Sequence, residues 1–562
     1  MASDSTLPRH HSIAAVVSVA PSLLGACIVV ALWAGLQVGI GIGGATVIGT
    51  GLFIAVSGWC LWPMRKVRPR LGGQDLVAAA LCALVTIALW DRAATRSMFW
   101  PHAFGVDQAH HGALTTFIFD TNGPPAIVGR LGGMANYPAG AHELAASVAT
   151  ILGLSPLSAT WFTALSATFI QLWAIAWVAT LASRHHGVLT SAITISIWIA
   201  GWGLGVGTVS ESFYFSQTVA VLFGIVGVGL LIVGRRSSTR WYLPAALLGV
   251  AAVLTYPQAA VVIPGAALLI AWGPLRQYLR TLPGRVRHAG ALMVLVIAVL
   301  GFEFARSSAG LRSSLQGVGE GSVRQMNITN LGGPVAVLLM MVGLYYLVRG
   351  AFRSREDLLP LIGAISAPIV VAIVFMAIRR GGFPIVSYRI QKNGFAAFPF
   401  LCVAGGFGAT SVVTSVIART DRQRGSAQLR ALGPVMLSAL TSLALLVYLS
   451  GPVKLRSTAV PLVDRDAYEL ARLATRGLIP DDIALAGDGL SPYTIWWAGV
   501  GRTASYQSKP LIPRMTLFET WPIGRPENYL LVDSTVRERY ENRPGVIVVA
   551  SRNGAALLKR TP

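Results

Sequence analysis

Charged residues are scarce in this sequence, and acidic residues are the scarcer kind. Charged side chains make up 12% of the 562 residues, with 23 Asp and Glu against 45 Lys and Arg. Soluble globular domains carry about 25% charged residues, so this composition excludes an ordinary soluble enzyme. The hydrophobic share is 54% and the mean hydropathy is +0.62. Together these values indicate a polytopic membrane protein.

Cysteine is rare as well, and motifs for soluble cofactors are missing. The four cysteines lie in apolar runs and none lies in the C-terminal segment, so no disulfide framework is expected there. The sequence has no Walker loop, dinucleotide fingerprint or Cys–His zinc pattern, which leaves an ATP-driven or nucleotide-sugar mechanism unsupported. The net charge of +22 is spread over loops between apolar runs. That distribution follows the positive-inside rule and argues against a nucleic-acid partner.

Apolar runs recur along the chain, and each is long enough to cross about 30 Å of hydrocarbon. They predict about thirteen transmembrane helices, at 13–35, 41–62, 75–91, 156–181, 188–207, 217–234, 241–256, 257–273, 288–304, 331–349, 358–378, 393–417 and 431–450. A further apolar helix at 138–153 is short for a span.

Loop charges predict the orientation of these helices. If 138–153 crossed the membrane, several basic loops would face outside, whereas a helix that only dips into the outer leaflet leaves them cytoplasmic. These loops are 235–240, 274–287, 349–355 and 419–430. We therefore predict that 138–153 is a juxtamembrane helix of a plasma-membrane protein. The N-terminus is then inside, and a large loop at 92–155 is extracytoplasmic.

The composition changes after Gly451, where acids, bases and prolines become frequent. The sequence predicts a transmembrane domain over 1–451 and a small extracytoplasmic α/β domain over 452–562. Within the latter, 466–477 has the pattern of an amphipathic helix. The β-branched and aliphatic runs at 529–532 and 545–550 predict buried strands.

The polar segment 105–111 is the main candidate site. If 106–118 is helical, Asp107, His110 and His111 share one face, because residues three and four apart are neighbours. A partly buried carboxylate can act as a general base. A carboxylate with two imidazoles can also hold a divalent cation, so a metal cofactor stays open. The alternative is a solvated helix whose N-terminal Asp is stabilised by the helix dipole. Asp120 is the next acid in the same loop and the second candidate.

Three features follow one another in a fixed order: Asp107 soon after a membrane span, a helix that starts at Tyr137-Pro138, and the segment 153–158 that opens the next span. This combination resembles the glycosyltransferase C superfamily, which includes protein O-mannosyltransferases, aminoarabinose transferases and mycobacterial arabinofuranosyltransferases. The resemblance covers about 75–270 at motif level and the rest only as architecture. The family often has two adjacent acids in this loop, whereas Gln108 follows Asp107 here, so the need for a metal stays open.

The resemblance implies an enzyme that transfers a sugar from a polyprenyl-phosphate donor to an extracytoplasmic glycan, lipid or protein acceptor. Asp107 would be the catalytic base. The Ala-, Gly- and Arg-rich composition is typical of GC-rich, actinobacterial-type genomes. That association favours cell-wall biogenesis with arabinosyl or mannosyl donors.

Two basic clusters are predicted to face outside, against the positive-inside trend, and such clusters suit a donor phosphate. Arg389 and Lys392 lie three apart, on one helical face at the start of a span, and are preferred over Arg379 and Arg380. Arg binds phosphate in a bidentate fork and Lys acts as a point charge. The alternative is snorkelling of these side chains to lipid headgroups.

Acceptor contacts are predicted at an acid and aromatic residues near the outer surface. Glu211 and Tyr214 lie in a loop with stacked aromatics, and Tyr137 and His142 border the juxtamembrane helix. An interfacial aromatic belt, or side chains that face headgroups, would have the same composition.

Two other functions remain open from the sequence. One is a transporter or flippase of a lipid-linked glycan, although such proteins place ionisable residues near the midplane, commonly in repeats. The other is a non-catalytic cell-envelope scaffold. The predicted spans are nearly free of charge, no repeat is visible and the acids lie in a loop, so the sequence favours the enzyme.

Overall fold

The computed structural model describes residues 13–62, 73–94, 106–124, 137–183, 186–201, 204, 215–281, 331–353, 355–378, 388–424, 465–471, 485–490 and 529–560. Within these ranges the chain is mostly helical, with a small β-sheet near the C-terminus. This confirms the predicted class.

The helices before residue 425 are α1 (Ile13–Gln37), α2 (Ile42–Leu61), α3 (Gly73–Ala94), α4 (Val106–Thr121), α5 (Gly140–Leu152), α6 (Pro156–Ala182), α7 (Gly187–Ala200), α8 (Phe215–Arg236), α9 (Tyr242–Thr255), α10 (Pro257–Ala260), α11 (Val262–Thr281), α12 (Gly333–Arg353), α13 (Leu359–Ile378) and α14 (Tyr388–Arg424). Most of these helices coincide with one predicted span each. The predicted spans 288–304 and 431–450 lie outside the described residues, so the number thirteen stays a prediction.

Seven of the described helices are long and apolar enough to cross a membrane: α1, α2, α6, α8, α12, α13 and α14. The chain is therefore a multi-pass membrane protein. Small residues let several of these helices approach closely, as is usual between membrane helices. A Cβ added at Gly343 of α12 would lie 2.0 Å from the Ala404 carbonyl oxygen of α14.

Local sequence explains where the two helices around 140–182 end and begin. Gly153 ends α5 in the left-handed region at φ 63°, which glycine adopts without steric cost. Ser155 caps α6 by accepting a hydrogen bond from the Ser158 amide at 3.2 Å, and Pro156 occupies the first turn. These are the usual signals at a helix end and a helix start.

One end of the helical bundle is rich in arginine, and we call it the basic end (Arg235, Arg236, Arg240 and Arg355). Arg236 and Arg355 donate to the carbonyl oxygens of Leu181 and Ala182 at the end of α6, at 2.7 and 2.9 Å. Arg240 donates to the carbonyl oxygen of Trp59 near the end of α2. The ends of α2, α6 and α8 therefore meet at this face.

The opposite end of the bundle carries His111, His142 and Phe215, and we call it the histidine end. Phe215 is the first residue of α8 and packs against both imidazoles. Because α8 runs from Phe215 to Arg236, helical geometry separates the two ends by about 32 Å. That length matches the hydrocarbon thickness of about 30 Å, so α8 is long enough to place the two ends at opposite membrane surfaces.

Helix α5 begins and ends at the histidine end. Its first residue, Gly140, lies against the end of α9, where an added Cβ would be 2.9 Å from the Thr255 hydroxyl. Its last residues connect through a short turn to the start of α6, whose other end lies at the basic end. At 13 residues, α5 spans about 20 Å, too short to cross. That α5 does not cross the membrane stays a prediction.

Helix α5 nevertheless dips into the bundle. Leu144 lies near Gly25 of α1, beside Phe223 of α8, and the hydroxyls of Ser147 and Thr46 of α2 are hydrogen-bonded at 2.8 Å. Eight of its residues are buried. The sequence was compatible with polar residues of α5 that face lipid headgroups. In the structure these residues are instead enclosed in protein.

The C-terminal elements are α15 (Arg465–Ala471), β1 (Leu485–Asp488), β2 (Tyr529–Asp533), α16 (Ser534–Glu541), β3 (Val546–Arg552) and β4 (Ala555–Arg560). They form a four-stranded sheet of order β1-β2-β4-β3, with β1 and β2 parallel and the other pairs antiparallel. The core contains Leu530, Val532, Tyr540, Ala556 and Leu558.

Both predicted strands form, but only one of them is buried. Leu530 and Val532 of β2 are buried, as predicted. Strand β3 lies at the edge of the sheet, and Ile547, Val548 and Val549 are exposed. The prediction of burial for 545–550 was wrong, because a β-branched run indicates a strand and not its place in the sheet.

Candidate functional site at the histidine end

Two buried histidines from different helices form the centre of the histidine end. Nδ1 of His111 on α4 and Nε2 of His142 on α5 are hydrogen-bonded at 2.8 Å. Their rings are stacked, with centroids 5.0 Å apart and planes 24° apart. His111 is 6% exposed and His142 is fully buried. One of the two nitrogens must donate and the other must accept.

Aromatic side chains hold this pair in place. Tyr137 packs edge-on against His111 and His142, with ring centroids 5.3 and 5.7 Å away. Phe215 packs edge-on against the same two rings at 5.9 and 5.3 Å. The imidazoles therefore lie between two aromatic side chains.

Burial changes the chemistry of His142. It lowers the pKa of His142 to about 3, while the nearby carbonyl groups of Ala139 and Pro138 act in the opposite direction. The ring is therefore neutral at physiological pH and accepts or donates hydrogen bonds without carrying charge.

Glu143, the next residue of α5, is buried at 2% exposure. Its Oε2 has no hydrogen-bond partner among the residues that the structure describes. Burial raises the pKa of Glu143 to about 8, since removal from water disfavours the carboxylate. The carboxyl is therefore mainly protonated at neutral pH.

Two further buried hydroxyls lie at this end of the bundle. Thr255 Oγ1 is next to Gly140 of α5, and Ser216 follows Phe215 in α8. Neither hydroxyl has a hydrogen-bond partner within the described ranges. Unsatisfied polar atoms in this number suit a place where water or a polar substrate group binds.

The predicted helix around Asp107 is confirmed, because α4 runs over Val106–Thr121. Asp107 is placed one turn before His111, and His110 lies between them; the side chains of Asp107 and His110 lie outside the described part of the structure. Asp120 is thirteen residues beyond Asp107 on the same helix, so about 20 Å separates these two positions along the axis. The structure therefore does not bring Asp120 to the histidine end with Asp107.

The described residues do not provide a metal site. Among them, no three His, Cys, Asp or Glu side chains are grouped as ligands. Nδ1 of His111 and Nε2 of His142 are bonded to each other, so these two nitrogens are not available to a cation. Asp120 is about 13 Å along α4 from His111, too far to share a metal with it.

The predicted donor-phosphate residues are placed only in part. Arg389 and Lys392 lie in the first turns of α14, and their side chains are outside the described residues. Phe398 of α14 packs at Gly201, just after α7, and the hydroxyls of Thr190 and Thr410 are hydrogen-bonded. Helix α14 is therefore antiparallel to α7, and its first turn points toward the histidine end.

Some of the other residues predicted to contact the donor or the acceptor lie in the described part of the structure, and some do not. Arg379, Arg380, Glu211 and Tyr214 lie outside the described residues. Tyr137 is half-buried beside the histidines. Helix α8 begins at Phe215, two residues before the predicted span at 217–234.

Phe215 and Thr255 were not predicted as site residues, and Glu143 was expected, like His142, either to border the site or to face headgroups. Nothing in the sequence around Glu143 indicates that its carboxyl is buried. A hydroxyl or phenyl group in a membrane span is ordinary, so no local pattern marks Thr255 or Phe215. Only the packing of α5 against the ends of α8 and α9 brings them together.

Comparison with known proteins gives distant structural matches only. No protein-family model matches this sequence, and no curated protein matches it at a significant level. Two solved structures of ArnT from Cupriavidus metallidurans are similar in fold over 85% of this chain and 97% of theirs. The apo structure has 16% identity and a TM-score of 0.39. The structure bound to undecaprenyl phosphate has 14% identity and a TM-score of 0.41.

Proposed function

We propose that this protein is an integral membrane glycosyltransferase. It transfers a sugar from a polyprenyl-phosphate donor to a glycan, lipid or protein acceptor at the extracytoplasmic surface. The observation that carries the proposal is the buried, hydrogen-bonded pair of His111 and His142 at the histidine end, one helical turn from Asp107. The resemblance of the sequence motifs to glycosyltransferase C enzymes supplies the reaction class.

The orientation follows from charge. Arginines are gathered at the basic end, where Arg236 and Arg355 bind the end of α6, and basic loops face the cytoplasm. The histidine end, about 32 Å away along α8, is then extracytoplasmic. That is the surface at which a lipid-linked donor and a cell-envelope acceptor meet.

The chemistry assigned to Asp107 is general-base catalysis. Its carboxylate takes the proton of an acceptor hydroxyl as the acceptor oxygen attacks the anomeric carbon. The bond between that carbon and the phosphate oxygen breaks, and polyprenyl phosphate leaves with the electron pair. Arg389 and Lys392 at the start of α14 would hold the phosphate, Arg as a fork and Lys as a point charge.

The acceptor would bind between aromatic and polar side chains. Tyr137 beside the histidine pair, together with Glu211 and Tyr214, would contact it. The sugar is proposed to be arabinose or mannose on a long polyprenyl carrier. The C-terminal sheet domain is proposed to lie on the same side of the membrane.

A second candidate, a proton-coupled transporter or flippase, is favoured by one observation. Glu143 is a buried carboxyl without a described partner for Oε2, and buried acids in membrane proteins commonly carry protons. The enzyme is preferred because the sequence motifs resemble those of glycosyltransferase C enzymes and because Asp107 lies one helical turn from the buried histidine pair.

Sealed membranes that contain the protein distinguish the two. Labelled polyprenyl-phosphate sugars are supplied together with cell-envelope acceptor. Sugar should appear in the acceptor while polyprenyl phosphate is released. Movement of the intact labelled lipid between leaflets without any transfer would instead support the transporter.

A further inference from the structure

The helix that carries Asp107 and His111 is tied to α2 at its far end. Helix α4 ends at Thr121, and Asn122 follows in the left-handed region at φ 52°. The side-chain oxygen of Asn122, Oδ1, accepts a hydrogen bond from the backbone amide of Ile42 at 2.7 Å. Ile42 is the first residue of α2, so its amide has no acceptor within its own helix. Asn122 is therefore a cap for α2 that another helix supplies.

The residue before α2 leaves room for this cap. Gly41 occupies the N-cap position, which in most helices provides the capping side chain. A Cβ added at Gly41 would overlap the side-chain amide of Asn122. The φ of Gly41 is −66°, which any residue can adopt. The close approach of Asn122, and not the backbone, therefore explains why a glycine suits this position.

The same turn of α2 also holds α5. The Thr46 hydroxyl donates to the carbonyl oxygen of Ile42 at 2.7 Å, and its oxygen lies 2.8 Å from the hydroxyl of Ser147 in α5. Because Thr46 has one hydroxyl hydrogen and directs it to the carbonyl, Ser147 is the donor in the second bond. Thr46 is 8% exposed and Ser147 is fully buried. A continuous chain of hydrogen bonds thus runs from α5 through the first turn of α2 to the end of α4.

The histidine pair closes this chain, because His111 of α4 and His142 of α5 are hydrogen-bonded to each other. Each of the helices α2, α4 and α5 is then bonded to the other two, and we call the three contacts the three-helix triangle (Asn122–Ile42, Thr46–Ser147 and His111–His142). One apolar cluster packs along the same helices and includes Ile42, Leu114, Phe117, Ile118 and Ala146. The two ties on α4 are separated by about 17 Å of helix.

We infer that Asn122 is a positioning residue for α4: the three-helix triangle fixes this helix, and with it Asp107 and His111, relative to α5. The catalytic meaning of this position rests on the proposed function, whereas the triangle itself does not. A helix tied at one point can swing about that point, and a second tie removes this freedom. A displacement of about 1 Å can lower a rate by roughly 10²-fold, so the tie at Asn122 matters to a base at the other end of α4.

Two replacements of Asn122 separate its hydrogen bond from its backbone conformation. Asn122→Asp keeps an acceptor, tolerates the left-handed backbone, and places a negative charge at a helix start, where it is favourable. Asn122→Gly adopts the same backbone without steric cost but has no acceptor. A role in positioning requires the two variants to differ.

The first measurement is sugar transfer in membranes with labelled polyprenyl-phosphate sugar and acceptor, at matched amounts of folded protein. Asn122→Gly should lower kcat by roughly 10–100-fold with little change in the KM for the donor. Asn122→Asp should transfer sugar at a rate near that of wild type. Equal losses in the two variants, or an unchanged kcat in Asn122→Gly, would overturn the positioning role.

The link to α5 has a matched control in the same helix. Thr46 and Thr50 each donate to the carbonyl oxygen four residues earlier. Of these two hydroxyls, within the described ranges, that of Thr46 alone also bonds to α5. Thr46→Val and Thr50→Val therefore remove the same kind of bond within α2, but the first also opens the triangle. Thr46→Val should lower kcat and Thr50→Val should not, and similar rates in the two would overturn the role of the triangle.

Hydrogen–deuterium exchange tests the triangle without an assay of activity. Asn122→Gly should speed amide exchange at the start of α2 and also around His111, at the other tie of α4, whereas Asn122→Asp should exchange like wild type. Faster exchange confined to the start of α2 would make Asn122 a simple helix cap and overturn the inference. If the wild-type protein transfers no sugar, the exchange pattern still decides whether Asn122 holds α4, and only the proposed function fails.

Discussion

Glu143 shows how burial alone can change the chemistry of one side chain. Its carboxyl is 2% exposed and burial raises its pKa to about 8. The folded protein therefore binds a proton at this site over a pH range in which the unfolded chain has lost it. Stability must fall as pH rises from about 4.5 to about 8.

This leads to a prediction for Glu143→Gln. Because Gln cannot ionise, the stability of the variant should not fall with rising pH in this way. The thermal unfolding temperature of the variant, relative to that of wild type, should therefore increase from pH 4.5 to 8 and then level off. The corresponding free energy is at most about 5 kcal/mol. His142, whose lowered pKa costs stability below about pH 6.5, is present in both proteins and cancels. Parallel pH profiles of the two proteins in detergent would contradict this account.

At the scale of single helices, the sequence of α5 predicts where the helix begins and ends, but not which of its residues are buried. Tyr137-Pro138 and Gly153 indicate its limits, and Gly140–Leu152 is the helix observed. Its short length also indicates that it does not cross. The direction in which His142 and Glu143 point depends on α4, α8 and α9. These helices are distant in sequence, so no pattern within α5 could predict the burial of either residue.

The helices at the basic end are joined by a partly buried ion-pair network. Asp357, just before α13, pairs with Arg236 of α8 and with Arg355, the latter at 2.9 Å. The Asp357 side chain is 9% exposed, whereas Glu356, which pairs with Arg235, is 71% exposed. Removing one partner of a buried pair leaves charges without compensation.

We expect Asp357→Asn to lower stability by about 3–5 kcal/mol. Glu356→Gln is the matched control and should cost about 0–1 kcal/mol, because its pair is exposed to solvent. Thermal or denaturant unfolding in detergent measures both. Similar losses in the two variants would show that burial does not set the strength of these pairs.

Close packing of α12 against α14 depends on Gly343. An added Cβ would lie 2.0 Å from the Ala404 carbonyl oxygen, whereas at Gly350 of the same helix the nearest atom, in Leu358, is 3.7 Å away. Gly343→Ala should therefore destabilise by about 1–3 kcal/mol, and Gly350→Ala should be nearly neutral. Unfolding of the two variants side by side tests this, and a neutral Gly343→Ala would contradict the described helix contact.

The whole molecule is a helical membrane protein whose two ends differ in chemistry. Hydropathy predicted most of the described helices, because long apolar runs have few alternatives to a span. Loop charge predicted the arginine-rich end, because basic residues concentrate in loops on the cytoplasmic side. The histidine end is assembled from α4, α5, α8 and α9. A single sequence contains no signal for such contacts, so the predictions there were limited to single residues such as Asp107, His110, His111, Tyr137 and His142.

Cysteine labelling tests the topology. The native cysteines are all buried, so reagent should report mainly on introduced sites. Ser237→Cys, just after α8, should react only after the membrane is permeabilised. Ser551→Cys, exposed on β3, should react from outside in intact cells. The reverse pattern at either position would refute the orientation and, with it, an extracytoplasmic site.

The most direct test of the central proposal is sugar transfer by Asp107→Asn. Membranes with wild type, Asp107→Asn or Asp120→Asn are incubated with labelled polyprenyl-phosphate sugars and acceptor. Asn keeps the size of Asp but cannot take a proton, so turnover should fall by roughly 10²–10⁴-fold while donor binding and thermal stability remain close to wild type. Asp120→Asn, about 20 Å further along α4, should transfer sugar at nearly the wild-type rate. Near-normal transfer by Asp107→Asn would contradict the catalytic assignment.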